Sequence, residues 1–375
     1  MRIAYAYNEI LPKRAAHDVY LFHNVLSLAE AGFDVGLLLG RGGMGDSDLF
    51  CHYGVGEEPR LSIHRLPILR KNKIFSLSWN GVFHYFTQRF VVKKRPERLI
   101  LSVLKQGAYH FQRRVSGVKY VYEAHQIAWY PGDSLREKKE AIEFEKKVFE
   151  NADLVTVTTA ALRSILLAEP YALKTRVEIV PLAVHAQPLP NVLMSEEALR
   201  VMYVGQLYAG QGVELLLEAL KRVPGVVLDL VGGKENEVDA FKKQAKVLEI
   251  ADRVVFHGFC SPHLLPSVVE RADAFVAPFE KSGRMPYVAH TKLLEYAEWG
   301  RPVVASDLPV VQEHFPEGKG ALLFSPGDPE ALAACLVRLQ DAQVRQKLQR
   351  EAACYAGQFS WKKRANRYKD LLQNL

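Results

Sequence analysis

Residues 291–306 read TKLLEYAEWGRPVVAS, and they follow a short apolar run, Ala274 to Ala277, across a polar loop. Thr291 is expected to cap a helix, its hydroxyl accepting from the first backbone N–H groups. Gly300 ends that helix, Pro302 forbids its continuation, and Pro302 to Ser306 form the next strand. The unit is therefore strand, loop, helix, strand, the repeat of a parallel sheet. A loop-to-helix junction of this kind presents unpaired N–H groups and a partial positive charge, a natural seat for a diphosphate, and Lys292 adds a formal charge. Glu295 is expected on the first turn, where a carboxylate can accept from two neighbouring hydroxyls such as a ribose diol. Its plainer reading is an acid complementing the helix dipole, worth about 0.3–1 kcal/mol.

The same alternation of short apolar runs with longer amphipathic stretches extends through the chain. Ile3 to Tyr7, Val35 to Leu39, Tyr120 to Glu123, Leu154 to Thr158 and Val177 to Val180 read as strands, with a helix over Val19 to Ala31 ended by Gly32. A polar segment carrying Pro181, Pro188 and Pro190 interrupts the pattern. It restarts with strands at Leu199 to Val204, Val226 to Val231 and Val254 to Phe256 and a helix over Gly212 to Lys221. The expected fold class is α/β, two Rossmann-like domains facing each other across a cleft, because such sheets bind ligands beyond their carboxyl ends. Domain bounds are expected at 1–188 and 189–357, with a helix over about 358–375 packing back on the first domain. Trp361, Ala365, Tyr368, Leu371 and Leu372 recur at helical spacing there, so that helix is expected to pack and to carry no chemistry. No period of about 20–50 residues recurs, which argues against a solenoid.

At 375 residues, with 49% hydrophobic and 24% charged content, the chain suits two ordinary globular domains better than one core. Its net charge of +7 is uneven: between Arg70 and Lys119 stand twelve Lys or Arg against one acid, Glu97, so the remainder is net acidic. Trp79, Phe83, Tyr85, Phe86, Phe90, Tyr109 and Phe111 interleave with these charges. That combination suits an anionic membrane surface, and a solvated basic face is the plainer alternative. Zinc-finger spacing, an RNP-like motif and a basic zipper are all missing, so nucleic acid is not an expected partner. Cys51, Cys260, Cys335 and Cys354 show no C-x-x-C spacing and read as buried free thiols, consistent with a reducing compartment. No charged and apolar leader precedes Arg2, and no run of about eighteen apolar residues occurs. The expected location is cytoplasmic, peripheral on the inner face of the cytoplasmic membrane.

Several runs carry a family likeness. Residues 291–306 resemble the second half of the E-x7-E region of family-4 GT-B glycosyltransferases, in the variants reading S-P-x-K-x-x-E-Y-x-A-x-G-x-P-V-V-A-S. YVGQLYAGQG at 203–212 resembles their G-x-L-x-x-x-K-G turn, and VGG at 231–233, RVVFHGF at 253–259 and AD at 272–273 follow in the family's order. YEAH at 122–125 resembles its Y-E-x-H strand end, and NADLVTVT at 151–158 its A-D-x-V-x-x-V-S segment. The likeness spans nearly the whole chain. It implies the GT-B fold and a retaining, hexosyltransferase-like enzyme that moves a sugar from a UDP- or GDP-linked donor to a glycan or lipid-linked acceptor. It further implies a role in cell-surface polysaccharide or glycolipid synthesis, with no cofactor and no metal. Residue by residue, it implies that Glu295 holds the donor ribose, that N–H groups near Ala289, His290 and Thr291 contact the diphosphate or sugar, and that Gly205 lets backbone approach the phosphates. Gly258 and Phe259 would lie near the base. His125 would line the cleft near the transferred sugar, and with Glu295 it is the expected catalytic pair; a strand-end His is otherwise a packing residue.

The sequence also departs from that pattern. Tyr287 stands where the first Glu of E-x7-E is usual. Gln206 and Gln211 stand at the basic pair of the glycine turn, where they can donate hydrogen bonds to a phosphate without neutralising it. Lys292, with Lys281 or Arg284 from the loop, is expected to supply the charge. Ala15 and Ala16 replace paired glycines after the first strand, and with His17 they form the expected acceptor-side loop, followed by Asp18. Two rivals stay open: a catalytically silent nucleotide-sugar-binding partner subunit, and a GT-B sugar-nucleotide epimerase. A dinucleotide-dependent oxidoreductase is disfavoured, since no G-x-G-x-x-G joins a first strand to its helix.

Overall fold

The apolar runs fold into two parallel sheets, each in its own compact unit. A computed structural model describes residues 1–12, 16–68, 79–102, 114–184, 189, 198–260, 264–355 and 357–375, with the side chains at 16, 17, 79, 80 and 355 left aside. Outside the described residues lie Lys13, Arg14 and Ala15, the basic and aromatic positions Arg70, Lys71, Lys73, Lys105, Tyr109, Phe111 and Arg113, and Pro188 and Pro190. Ala16 and His17 are described by backbone alone, as the first residues of the helix Ala16–Glu30.

The first unit comprises Met1–Ala183 and Ser360–Leu375. Its sheet holds β1 (Arg2–Ala6), β2 (Asp34–Gly40), β3 (Leu61–Leu66), β4 (Arg98–Ser102), β5 (Lys119–Ala124), β6 (Leu154–Val157) and β7 (Val177–Ile179), in the order β3-β2-β1-β4-β5-β6-β7. The central strands are buried on both faces, as parallel sheets require, which is why DVGLLLG and RIAYA read as nearly unbroken apolar runs. β3 and β4 are additions to the sequence reading. β3 is an edge strand carrying Ser62, His64 and Arg65, so its polar alternation hides it among loops.

The helix Trp361–Gln373 completes this unit against the helix Ala16–Glu30. Ser360 caps it, accepting from the Lys363 N–H at 3.4 Å. Trp361, Ala365, Tyr368, Leu371 and Leu372 are buried, and so is Arg364 between them.

The second unit, Val184–Phe359, holds β8 (Leu199–Val204), β9 (Val226–Val231), β10 (Val254–Gly258), β11 (Ala274–Ala277), β12 (Val303–Ser306) and β13 (Ala321–Phe324), in the order β10-β9-β8-β11-β12-β13. The helix Val213–Lys221 buries Leu216, Leu217 and Leu220 in the core of this unit, each worth about 1.5–3 kcal/mol. On the helix Thr291–Trp299, the rings of Tyr296 and Trp299 lie 4.5 and 4.8 Å from Phe275 of β11. The Tyr296 hydroxyl also accepts from the Val204 N–H at 2.8 Å, which pins the helix to the end of β8. Among the described residues, no helix is long and apolar enough to cross a membrane.

Candidate functional site

In the second sheet the strand order reverses between β8 and β11, and open α/β sheets bind ligands beyond the carboxyl ends at such a point. β8 runs out into Gly205, at φ +148°, where a Cβ would stand 2.7 Å from Lys292 Nζ. β11 runs out into Pro278, whose carbonyl oxygen would stand 1.7 Å from a Cβ on Gly212, at φ +74°. Only glycine fits either place without displacing a neighbour. The two glycines thus bring the 205–212 turn onto the start of the helix Thr291–Trp299.

Lys292 occupies that junction. Its Nζ donates to the Tyr203 hydroxyl and to Gln211 Oε1, both at 2.6 Å, and lies 4.0 Å from the centre of the Tyr203 ring. The Tyr203 hydroxyl is 3.0 Å from Gln211 Oε1 and 2.5 Å from the Gln206 carbonyl oxygen. Burial pulls the Lys292 ammonium down to about 7, with Glu295 opposing the shift. Burial pushes the Glu295 carboxyl up to about 6, with Lys292 opposing it in turn. The two are three apart on one helix, so they share a face.

Thr291 is not the cap. His290 holds the cap position in extended backbone, with no side-chain cap bond, and Thr291 is already the first helical residue. The boundary follows from the His290 ring, which stacks on Phe279 at 4.2 Å and meets the Met285 carbonyl oxygen through Nε2 at 2.9 Å. These contacts tie His290 back to the loop. Burial, with help from Lys292 and Arg284, lowers its imidazole to about 4, so it is neutral at pH 7. Glu295 accordingly stands one residue deeper in the helix than expected, at the start of the second turn.

The remaining expected residues spread more widely. Gln206 is exposed and contributes its carbonyl to Tyr203, whereas Gln211 is buried against Lys292. Tyr287 is half-buried in the loop before the helix, and burial raises its phenol. Gly258 ends β10 at φ +65° and accepts from the Gly232 N–H at 2.7 Å, and Phe259 beyond it is 69% exposed. Lys281 and Arg284 are exposed. Among the described residues, no three His, Cys, Asp or Glu side chains gather as a metal-binding set.

In the first unit His125 follows β5, with Nε2 3.3 Å from Glu123 Oε2 and its ring edge-on to Tyr20 at 5.0 Å. Glu123 is buried and takes hydrogen bonds from Tyr5, from Tyr20 at 3.1 Å, from Tyr368 at 2.7 Å and from Arg364 at 2.5 Å. Burial pushes its carboxyl up, yet His125, Arg364 and Tyr5 outweigh burial and hold it well below the usual carboxylate value. Asp18, near the acceptor-side loop, accepts from the Tyr7 hydroxyl at 2.6 Å.

Sequence reasoning missed Tyr203 and Tyr296 because rings in apolar runs read as core; the only signal was that a buried phenol needs a partner. Glu123 was passed over within its own motif. Arg364 left one readable sign, a charge on the apolar face between Trp361 and Tyr368.

Solved structures share this fold along the whole chain. Sucrose-phosphate synthase from Thermosynechococcus elongatus matches with a TM-score of 0.79 at 19% identity, over 100% of this chain and 98% of that one. Anabaena HepE in complex with UDP matches with a TM-score of 0.74 at 16% identity, over 100% of both chains. The fold is therefore GT-B, two Rossmann-like α/β units in one chain. Residues 17–183 match the family described as Glycosyl transferase 4-like domain, and residues 198–342 match Glycosyl transferases group 1. An uncharacterized glycosyltransferase of Methanocaldococcus jannaschii is 21% identical over 80% of each chain. This chain belongs to the group 1 glycosyltransferases and is an enzyme of that class.

Proposed function

We propose that the enzyme moves a sugar, with net retention, from a nucleotide-diphosphate donor seated on the second unit to a glycan or lipid-linked acceptor held by the first. The observation that carries this reading is Lys292 at the mouth of the helix Thr291–Trp299, tethered to Gln211 and Tyr203 beside the bare backbone of Gly205. Gln211 itself cannot neutralise a phosphate. It holds the ammonium that can.

In the reaction the bond from the anomeric carbon to the diphosphate breaks, one to an acceptor hydroxyl oxygen forms, and the hydroxyl proton passes to the departing diphosphate or to solvent. Negative charge builds on the leaving diphosphate, where the helix N-terminus and Lys292 stabilise it, which is the larger part of such catalysis. Glu295 accepts from the donor ribose, and His125 acts on the transferred sugar. Retention enters through the family resemblance. UDP is the first nucleotide to try, since the Anabaena protein of the same fold was solved with UDP and with UDP-glucose.

Calorimetry with UDP and GDP tests the seat. Lys292→Ala and Glu295→Ala should each weaken nucleotide binding about tenfold or more, the loss of a charge-assisted contact of roughly 1.5–3 kcal/mol, while the fold persists. Equal affinity in wild type and both variants would remove the assignment. Nucleotide binding without transfer to any acceptor would favour the silent partner subunit.

The acceptor side is proposed to meet an anionic membrane on the cytoplasmic face, in cell-surface polysaccharide or glycolipid synthesis. Supporting this, the helix Trp79–Lys94 and the residue after it expose Tyr85, Arg89, Val92, Lys93, Lys94 and Arg95 while Phe83, Thr87 and Val91 turn inward. Other charges of the basic block serve the fold: Arg98 donates to the Leu372 carbonyl at 2.7 Å, and Arg114 and Lys119 pair with Asp153.

A further inference from the structure

The five groups around the Glu123 carboxylate come from separate parts of the first unit. Tyr5 lies on β1, Tyr20 on the helix Ala16–Glu30, His125 beyond β5, and Arg364 and Tyr368 on the C-terminal helix Trp361–Gln373. All three guanidinium nitrogens of Arg364 are engaged: its Nε donates to Asn24 Oδ1 at 2.8 Å, one terminal nitrogen to the carbonyls of Val180, at 2.6 Å, and Pro181, and the other to Glu123 at 2.5 Å. Asn24 in turn donates to the Tyr5 hydroxyl at 3.2 Å, and Tyr368 is 3.2 Å from Thr156 Oγ1. An ionised carboxylate only accepts. Its hydrogen-bonded neighbours therefore all present hydrogens to it, and in a neutral imidazole the same charge favours a hydrogen on the ring nitrogen 3.3 Å away, the Nε2–H tautomer.

A buried pair of this kind is a poor source of net stability, since desolvating both charges offsets most of their attraction. Packing alone would be served as well by apolar side chains, as at Leu371 and Leu372 on the same helix. We infer that Arg364 and Tyr368 of the C-terminal helix are positioning residues for the transferase reaction, holding Glu123 as the carboxylate that fixes the orientation and tautomer of His125. The helix is then a working part of the acceptor-side machinery. The inference rests on the proposed role of His125 in transfer.

Long-range nitrogen–proton NMR of histidine-labelled full-length protein reads imidazole tautomers directly, whether or not turnover occurs. The neutral imidazole of His125 in the wild type should show the Nε2–H tautomer. Glu123→Gln and Arg364→Met should convert it to a mixture, and Arg364→Lys, which keeps the charge, should restore part of the wild-type signal. Should Arg364→Met fail to fold, Tyr368→Phe removes one donor from the same carboxylate without touching charge and should shift the signal in the same sense.

With UDP-glucose as donor probe, kcat of these variants should fall about 10- to 100-fold, the loss typical when the outer partner of a ligating histidine is removed. UDP affinity by calorimetry should stay at the wild-type value, which a general loss of structure would not allow. An Nδ1–H wild type, or wild-type His125 signals and kcat in folded Glu123→Gln and Arg364→Met, overturns the inference. A His125→Ala enzyme with full kcat instead overturns the role of His125 in transfer, whatever the tautomer.

Discussion

Lys292 and Glu295 sit within one turn of each other, and each shifts the other's proton equilibrium. With the ammonium lowered to about 7, raising the pH from 7 to 8 leaves the lysine mostly neutral while the nucleotide is absent. A diphosphate reverses this: an ion pair at about 4 Å in a medium of effective dielectric about 20 is worth roughly 4 kcal/mol, whereas protonating the amine one unit above its pKa costs about 1.4 kcal/mol. The attraction wins, so UDP binding between about pH 7 and 9 should draw up to about one proton from solution. The enthalpy of UDP binding should then change with the ionisation enthalpy of the buffer, and Lys292→Met should abolish that change. A buffer-independent enthalpy in the wild type would contradict the assignment of Lys292 to the diphosphate.

At the scale of elements, the helix Thr291–Trp299 is legible in its body and its close, because Gly300 and Pro302 mark the end and its apolar face is continuous. Its opening was misjudged by one residue. Thr291 has the chemistry of a cap, but the stacking of His290 on Phe279 decided the boundary, and no local pattern reports a contact of that kind. The helix Trp79–Lys94 was read only as charge and rings. Its buried Phe83, Thr87 and Val91 and its exposed Tyr85, Arg89 and Val92 give that block two faces. Vesicles rich in anionic lipid should therefore retain the protein at about 0.02 M salt and release it at about 0.5 M, where the screening length falls well under 10 Å. Replacing Arg89, Lys93 and Lys94 together by Gln should abolish retention at low salt; undiminished retention would assign the membrane contact elsewhere.

Across the whole molecule, β1, β2, β5 to β7 and β8 to β12 could be read from short, mostly apolar runs. β3 and β4 escaped because a short or half-polar strand looks like loop until its neighbours are known, and β13, on the far edge of the second sheet, escaped with them. Much of the candidate site was visible for a different reason. Gly205, Lys292 and Glu295 lie in runs that match the family's motifs, so the resemblance could name them, whereas Gln211 stood out as a departure from the same motif. The Glu123 cluster was not visible, since it joins residues 241 and 245 positions apart through Arg364 and Tyr368. Spacing along a chain carries no record of such closure.

The central proposal is that the amino end of the helix Thr291–Trp299 holds a nucleotide diphosphate. A crystal structure of the protein soaked with UDP tests this most directly. Diphosphate oxygens should lie within hydrogen-bonding distance of Lys292 Nζ and of the backbone N–H groups around Thr291, with the ribose hydroxyls on the Glu295 carboxylate. A UDP molecule bound with its diphosphate away from Lys292, or bound on the first unit, would contradict it.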